Sequence, residues 1–216
     1  GSAYEPGSGT TIMAYAGICH EEDVAPHSDP FFHTRSFDQI TAFRDGGGSC
    51  GVQSNTGNAV PTVNAGGDFT IPRGTPFTLT ATGNDGDGDA LTFCWEQFDR
   101  GDATGFPTPL LNPANSPLFR FRVPTASPSR TIPALADLLA GATPWEPLPT
   151  AGRDLHFRCP VRDNRAGGGG VNYSSMVVHV SGAPFAVTSP NGGETLHAGC
   201  GTTVTWSVGG GSVATD

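Results

Sequence analysis

The sequence predicts a mainly β protein built from short strands. Glycine (31 of 216 residues) and proline (19) are abundant, which is typical of a chain with many turns. Only 14% of the residues are charged, and Thr, Val and Phe occur in short runs. In runs such as 76–82 (PFTLTAT), apolar and polar residues alternate as they do in half-buried strands. We therefore expect short strands and many turns, without long helices.

Residues 1–58 are expected to form a small irregular N-terminal segment with one helix. In the stretch 36–43, Phe37, Ile40 and Phe43 have helical spacing. Ser36 can cap this helix, with Gln39 three residues later as its capping-box partner. The segment has few large apolar residues, so we expect it to pack on the second unit, to pack on a neighbouring chain, or to be partly remodelled. Two cysteines bracket the helix, and the simplest pairing is a disulfide between Cys19 and Cys50.

Residues 59–182 are expected to form a β-sandwich of the immunoglobulin-like or polycystic-kidney-disease-like (PKD-like) kind. About six or seven short strands separated by Gly/Pro turns favour that fold. Cys94 and Cys159 lie in two of these strands and suit a disulfide within the core. A short amphipathic helix is expected at 132–140. The strands that we predict are 68–72, 76–82, 90–98, 119–123, 155–161 and 175–180.

Residues 183–216 are expected to begin a further β-sandwich, which remains an incomplete β module. Two strands flank an Asn-Gly-Gly turn at 191–193, and a sandwich cannot close from so few strands. Cys200 would then find its partner in the missing remainder, which accounts for the odd number of five cysteines.

Several stretches of the chain resemble the secreted reprolysin-like metallopeptidases of bacteria, which are metzincins. The stretch 4–19 (YEPGSGTTIMAYAGIC) is similar to their Met-turn, and 27–33 (HSDPFFH) and 36–40 (SFDQI) are similar to the segment on its C-terminal side. The resemblance continues through 88–99 (GDALTFCWEQFD) and 161–173 (VRDNRAGGGGVNY). It implies that Met13 forms an apolar floor beneath a catalytic zinc ion.

The resemblance does not extend to the zinc motif, because H-E-x-x-H-x-x-G-x-x-H occurs nowhere in the chain. We therefore expect a non-catalytic C-terminal part of a secreted zinc metalloprotease that serves as an accessory or binding β-sandwich module. Zinc is expected in the parent protease and not in this chain, since no two of its six histidines have the i, i+4 spacing of a catalytic site.

The alternative hypothesis is an extracellular structural or adhesive subunit that assembles into filaments or oligomers by β-strand exchange. The partner is then another copy of the chain, whereas the first hypothesis requires the missing catalytic domain. Size in solution separates the two, because a monomer favours the accessory module and fibres or rings favour assembly.

The strongest candidate for a metal site is the acidic loop at 84–89 (NDGDGD). Carboxylates separated by glycines can turn several oxygens toward one point, as Ca²⁺ requires. Asp85, Asp87 and Asp89 would supply ligands, with Asp163 as the expected fourth and Asp99 or Asp68 as less favoured choices. The loop lacks the glutamate of an EF-hand. A solvated Asp/Gly turn between strands explains the same composition equally well.

Charge and composition exclude other classes of function. A net charge of −9 with 11 basic residues that form no patch in sequence argues against nucleic-acid binding. No apolar run approaches the ~20 residues of a membrane-spanning helix. Five cysteines in a Gly/Thr-rich chain favour an oxidising compartment, so we expect a secreted protein.

Overall fold

The computed structural model describes residues 3–48, 50–101, 116–141 and 145–209, and it is mainly β, as predicted, with 28% strand and 11% helix. The helical elements are a 3₁₀ turn at His20–Glu22, α1 (Thr34–Gly46) and α2 (Leu135–Leu139). The strands are β1 (Thr62–Asn64), β2 (Phe69–Pro72), β3 (Phe77–Thr80), β4 (Thr82–Asn84), β5 (Thr92–Phe93), β6 (Glu96–Gln97), β7 (Ser129–Ile132), β8 (Arg153–Arg162), β9 (Val171–Ser181), β10 (Ala186–Ser189) and β11 (Thr205–Ser207).

The largest sheet has the order β2-β9-β8-β5, and β6 also pairs with β8. Strands β8 and β9 form its centre, with antiparallel pairs from Arg153 opposite Val180 to Arg162 opposite Val171. Strand β2 lies parallel to β9 and is held by residues more than a hundred positions away in sequence. Three two-stranded sheets are also present among the described residues: β1 with β4, β3 with β7, and β10 with β11.

One face of the largest sheet covers the hydrophobic core. Leu155, Phe157 and Val161 alternate along β8 and are at most 1% exposed. Phe77 and Phe119 pack against Phe157, with ring centroids 5.8 and 6.0 Å away. We call the opposite face of β8 and β9, which carries Asp154, His156, Arg158 and Tyr173, the outer face.

The predicted strands 68–72, 76–82, 155–161 and 175–180 each correspond to an observed strand. The predicted strand 90–98 is divided into β5 and β6, and the predicted helix 132–140 appears as the shorter α2. The predicted N-terminal helix is present, but its cap is not Ser36. The helix begins two residues earlier, and His33 occupies the N-cap position, where Nδ1 accepts from the backbone N–H of Arg35.

The prediction of a strand at 119–123 is wrong. Side chains, in place of a paired strand, form hydrogen bonds with the backbone of this stretch. The side-chain oxygen of Gln97 accepts from the N–H groups of Leu118 and Phe119, at 2.6 and 2.9 Å. The guanidinium of Arg130 donates to the carbonyl of Arg120 at 2.8 Å. The apolar alternation in this stretch therefore reflects burial of Phe119 and Phe121 in irregular backbone.

Neither predicted disulfide is present, since all five cysteines are free thiols. Cys159 lies in β8, whereas Cys94 lies between β5 and β6, where its N–H donates to the carbonyl of Pro160 at 3.1 Å. Because Cys94 is opposite Pro160 and side chains alternate along β8, the two thiols lie on opposite faces. Cys159 therefore faces the core, whereas the Cys94 thiol contacts the carbonyl of Arg122 at 3.0 Å.

The other predicted pair, Cys19 and Cys50, is separated by α1. Cys19 precedes the helix and contacts the carbonyl of Tyr15 at 3.5 Å, whereas Cys50 follows its C-terminal end. Both thiols are free, so the predicted disulfide between them is absent from the structure.

Strands β10 and β11 lie in the predicted third unit, and all their residues are exposed. The end of that unit, 210–216, and part of the loop 143–147 lie outside the described residues. None of the helices within the described ranges is long and apolar enough to cross a membrane.

Candidate functional site

The Met-turn segment, residues 4–19, is organised by the carboxylate of Glu5. It accepts from the backbone N–H groups of Thr10 and Thr11, at 2.7 and 3.3 Å, and from the Thr11 hydroxyl. Both threonines are buried. The chain then turns so that the N–H of Ala14 donates to the carbonyl of Thr11 at 2.9 Å. These bonds fix the backbone on which the candidate floor residue Met13 lies.

Apolar side chains of this segment face solvent. Met13 is 66% exposed, and Tyr15 and Ile18 are exposed to a similar degree. The buried side of the segment is polar, with Ser8 donating to the carbonyl of Gly9 and accepting from the N–H of Val24. The structure thus places the candidate floor residue at an open apolar surface.

The start of α1 is fastened to the sheet by buried polar groups. The N–H of Thr34 donates to Glu96 Oε2 at 2.7 Å, and His33 Nε2 lies 3.2 Å from the carbonyl of Gln97. Because His33 Nδ1 accepts from the N–H of Arg35, the ring proton lies on Nε2, which donates to that carbonyl. His33, Thr34 and Glu96 are each at most 4% exposed. Sequence inspection missed this contact, which depends on strand β6 reaching the helix.

A second fastening lies one helical turn further on, at Asp38. Its two oxygens accept from Arg158 at 2.7 Å and from the Tyr173 hydroxyl at 2.8 Å. The Arg158 guanidinium lies between aromatic rings, 3.4 Å from the centroid of Phe98 and 4.2 Å from that of Tyr173. Tyr4 packs on the same Phe98 ring at 4.9 Å. Burial and the Asp38 carboxylate raise the pKa of the Tyr173 hydroxyl.

The acidic loop between β4 and β5 brings together three of the four predicted calcium ligands. Oxygens of Asp85, Asp87 and Asp89 lie within 4.8 Å of one another. Asp85 Oδ1 accepts from the N–H groups of Asp87 and Asp89, at 2.9 and 3.0 Å, which folds the loop around it. Asp85 Oδ2 is buried and makes no hydrogen bond within the described part of the chain.

Arg165 already supplies a positive charge to this loop. Its guanidinium lies 3.0 Å from Asp87 Oδ2, 3.5 Å from Asp89 Oδ2 and 3.2 Å from Asn58 Oδ1. Sequence inspection missed Arg165 as well as Asn58. The sequence does hold one signal for Arg165, because this residue follows Asp163 by two positions, in the loop that we expect to lie against the acidic loop.

The fourth predicted ligand, Asp163, stands apart from the three others and is committed to internal bonds. It is 2% exposed and accepts from Asn58 Nδ2 at 2.6 Å and from the N–H groups of Arg165 and Gly170, at 3.1 and 2.8 Å. Burial acts to raise the pKa of this carboxyl, but these hydrogen bonds outweigh it and hold the pKa below its usual value. Asp163 therefore joins three parts of the chain around the loop.

The less favoured ligands also lie elsewhere. Asp68 Oδ1 accepts from the N–H of Val177 at 2.7 Å, and Asp99 Oδ1 is bonded to His156 Nδ1 at 2.6 Å. Both aspartates line a groove of about 830 Å³ that also borders Phe98 and Asp154.

The buried thiols are not candidates for nucleophiles. Burial raises the pKa of the Cys159 thiol to about 12 and that of Cys94 well above its usual value. A thiol must ionise to attack or to bind a metal, so both cysteines are structural.

Comparison of the chain with protein-family models, with curated proteins and with solved structures gives no match. The Met-turn segment, the acidic loop and the outer face are therefore the features from which a function can be inferred.

Proposed function

We propose that this chain is a non-catalytic part of a secreted, reprolysin-like zinc metallopeptidase. In this proposal, residues 1–58 belong to the protease domain, 59–182 form an accessory β-sandwich of the immunoglobulin-like or PKD-like kind, and 183–216 begin a further β module. The accessory module holds the Met-turn segment in position for a catalytic domain that carries the zinc-binding histidines.

The observation that carries the proposal is the double attachment of α1 to the sheet. Thr34 and His33 are fastened at Glu96 and Gln97, and Asp38 is fastened at Arg158. Loss of a hydrogen bond to a charged group costs about 1.5–3 kcal/mol, so each attachment stabilises the position of α1 on the sheet. A module that merely followed the protease domain on a linker would not require such contacts.

The orientation of the segment also supports the proposal. Its buried polar groups bond to one another and to the chain that follows, as Ser8 does to Val24, whereas Ile12, Met13, Tyr15 and Ile18 are 42–68% exposed. Contiguous apolar side chains on a surface are typical of an interaction site. We assign this surface to the catalytic domain, because the family resemblance places the methionine beneath its metal.

The test is to sequence the complete open reading frame that encodes this chain and to express the full-length protein. We expect an H-E-x-x-H-x-x-G-x-x-H sequence upstream of Gly1 and a peptidase activity that a zinc chelator abolishes. A frame without that motif, or a whole product without zinc-dependent activity, overturns the proposal.

We propose further that the acidic loop binds Ca²⁺ by displacing Arg165. The ligands are oxygens of Asp85, Asp87 and Asp89, and the buried Asp85 Oδ2 is available for a cation. Oxygen-only ligand sets suit Ca²⁺. Arg165 occupies the same carboxylates when the ion is absent, so the two cations compete.

Replacing Arg165 therefore tests the calcium site directly. Arg165→Gln is expected to tighten Ca²⁺ binding by about tenfold, since one competing charge at about 3 Å is removed. Asp87→Asn is expected to weaken binding, and Arg44→Gln serves as the control because Arg44 pairs only locally with Asp45. Calorimetric titration with CaCl₂ measures the effect. Equal affinity in the wild type and in Arg165→Gln contradicts the competition, and absence of Ca²⁺ binding in all variants eliminates the site.

The alternative function, an extracellular subunit that assembles by strand exchange, is favoured by two features. Among the described residues, strand β2 pairs on one side only, and β10 and β11 form a sheet of just two strands. Exposed sheet edges and faces of this kind can accept a strand from another chain. Light scattering on the purified chain separates the hypotheses, since a concentration-independent monomer excludes assembly through these edges.

A further inference from the structure

Strands β8 and β9 bring together two histidines that no helical spacing connects. Asp154 lies opposite His179, and His156 lies opposite Val177. The intervening residues Leu155 and Val178 are buried in the core. Because side chains alternate along a strand, both imidazoles lie on the outer face as diagonal neighbours.

Each of these imidazoles is held by a carboxylate. His156 Nδ1 lies 2.6 Å from Asp99 Oδ1, and His179 Nδ1 lies 2.7 Å from Asp154 Oδ1. An ionised carboxylate can only accept, so Nδ1 carries the proton and Nε2 presents a free lone pair. The two histidine side chains are 55% and 44% exposed, which leaves this lone pair accessible. Histidines that bind metals in proteins typically donate their other ring N–H to a carboxylate in this way.

We propose that His156 and His179 bind a divalent transition metal of the Zn²⁺ class through their Nε2 atoms. Diagonal neighbours on paired strands lie about 7–8 Å apart, and two imidazoles at that separation can converge on an ion about 2.0–2.1 Å from each nitrogen. Asp99 and Asp154 orient the rings and increase their basicity. Water completes the coordination, since among the described residues no third His, Cys, Asp or Glu joins both histidines in a cluster whose ligand atoms all lie within 4.8 Å of one another.

The shape of the surroundings accommodates a hydrated cation, and Asp154 supplies a negative charge beside His179. The charge of Asp99 is shared between His156 and Arg153, whose guanidinium lies 3.5 Å from Asp99 Oδ2. The groove is lined by three aspartates and three arginines, so its charges balance. The groove of about 830 Å³ that borders His156 and Asp154 provides room for the ion's water ligands. Imidazole ligands select zinc, copper and nickel over calcium, so this site differs in chemistry from the acidic loop.

The site does not depend on the function proposed above, because it uses only residues of the outer face together with Asp99, which follows β6. Neither histidine belongs to an i, i+4 pair. A surface site with two protein ligands is expected to be weaker than a closed four-ligand structural site.

The test is calorimetric titration of the whole chain with ZnCl₂ in the presence of excess CaCl₂, which saturates oxygen-only sites. We expect stoichiometric binding in the wild type. His156→Gln and His179→Gln are each expected to weaken it at least about tenfold, and Asp154→Asn about 10–100-fold, as is usual for partners of metal ligands. His27→Gln is the matched control, because this exposed histidine lies outside β8 and β9.

A second measurement identifies the ligands without relying on affinity. Electron paramagnetic resonance of the Cu²⁺-loaded chain should show coupling to two imidazole nitrogens, and His179→Gln should remove one of them. Circular dichroism confirms that each variant is folded. The proposal is overturned if the wild type binds no zinc, or if the double variant His156→Gln/His179→Gln binds zinc as the wild type does. It is equally overturned if His27→Gln removes the binding.

Discussion

At the residue scale, Asp163 explains a run of glycines that its sequence context leaves obscure. A Cβ atom on Gly169 would lie 2.8 Å from Asp163 Oδ1, and one on Gly170 would lie 2.9 Å from Oδ2. Such approaches are too close for any side chain. Glycine is therefore needed at 169 and 170 because the backbone wraps tightly around a buried carboxylate.

Because folding lowers the pKa of Asp163, this residue makes the free energy of unfolding depend on pH in the acidic range. The stabilisation is complete above the usual aspartate pKa of about 4, and it is lost as the pH falls through the lower folded value. We expect the urea midpoint to fall as the pH is lowered from about 6 to about 2, in part through this group. Asp163→Asn should be less stable at neutral pH and should lose less stability on acidification. If both proteins give parallel curves of midpoint against pH, the carboxylate is not responsible.

At the element scale, the attachment of α1 is expected to protect the Met-turn segment from proteolysis. Asp38→Asn removes the charged partner of Arg158 and weakens the contact by about 1–3 kcal/mol. Cleavage of residues 3–46 by a dilute protease should therefore accelerate about tenfold or more, if cleavage follows local opening.

Asp45→Asn is the control for this measurement, since Asp45 lies on the same helix but pairs only with the exposed Arg44. Equal cleavage rates for both variants would show that the Asp38 contact does not hold the helix. Mass spectrometry of the fragments establishes where the chain is cut.

The secondary-structure elements also show which features could be predicted from the sequence and which could not. Strands β8 and β9 were predicted because alternation is visible within one continuous stretch. The stretch 119–123 has the same alternation, but side chains of Gln97 and Arg130 satisfy its backbone, and no local pattern reveals them. The acidic triad was predicted within a single loop, whereas Arg165 reaches it from another loop.

The register of pairing between strands was the feature hardest to predict from the sequence. The predicted disulfide between Cys94 and Cys159 is absent, because the register of strand pairing determines the face on which each thiol lies. The same register places His156 beside His179, a relation that a search for helical spacing overlooks. Register depends on tertiary packing as much as on local sequence.

At the scale of the whole molecule, β9 connects most of the structure. It pairs with β8 along ten residues of each strand and with β2 on its other side. We expect a chain that ends before Val171 to lose cooperative unfolding, because β8 and β2 both lose a partner and the core is uncovered on one side. A chain that ends after Gly182 keeps this pairing and is the control. Comparable cooperative transitions in both truncated chains would contradict the central role of β9.

The parallel pairing of β2 with β9 has a mechanical consequence. The first strand of the largest sheet and its last lie side by side and run in the same direction, from Phe69 beside Val178 to Pro72 beside Ser181. Tension applied through the chain before β2 and after β9 would slide these strands past each other, so that their hydrogen bonds bear the load together instead of opening one by one. This arrangement resists stretching, and a force–extension record of the chain would show it as a single high rupture force.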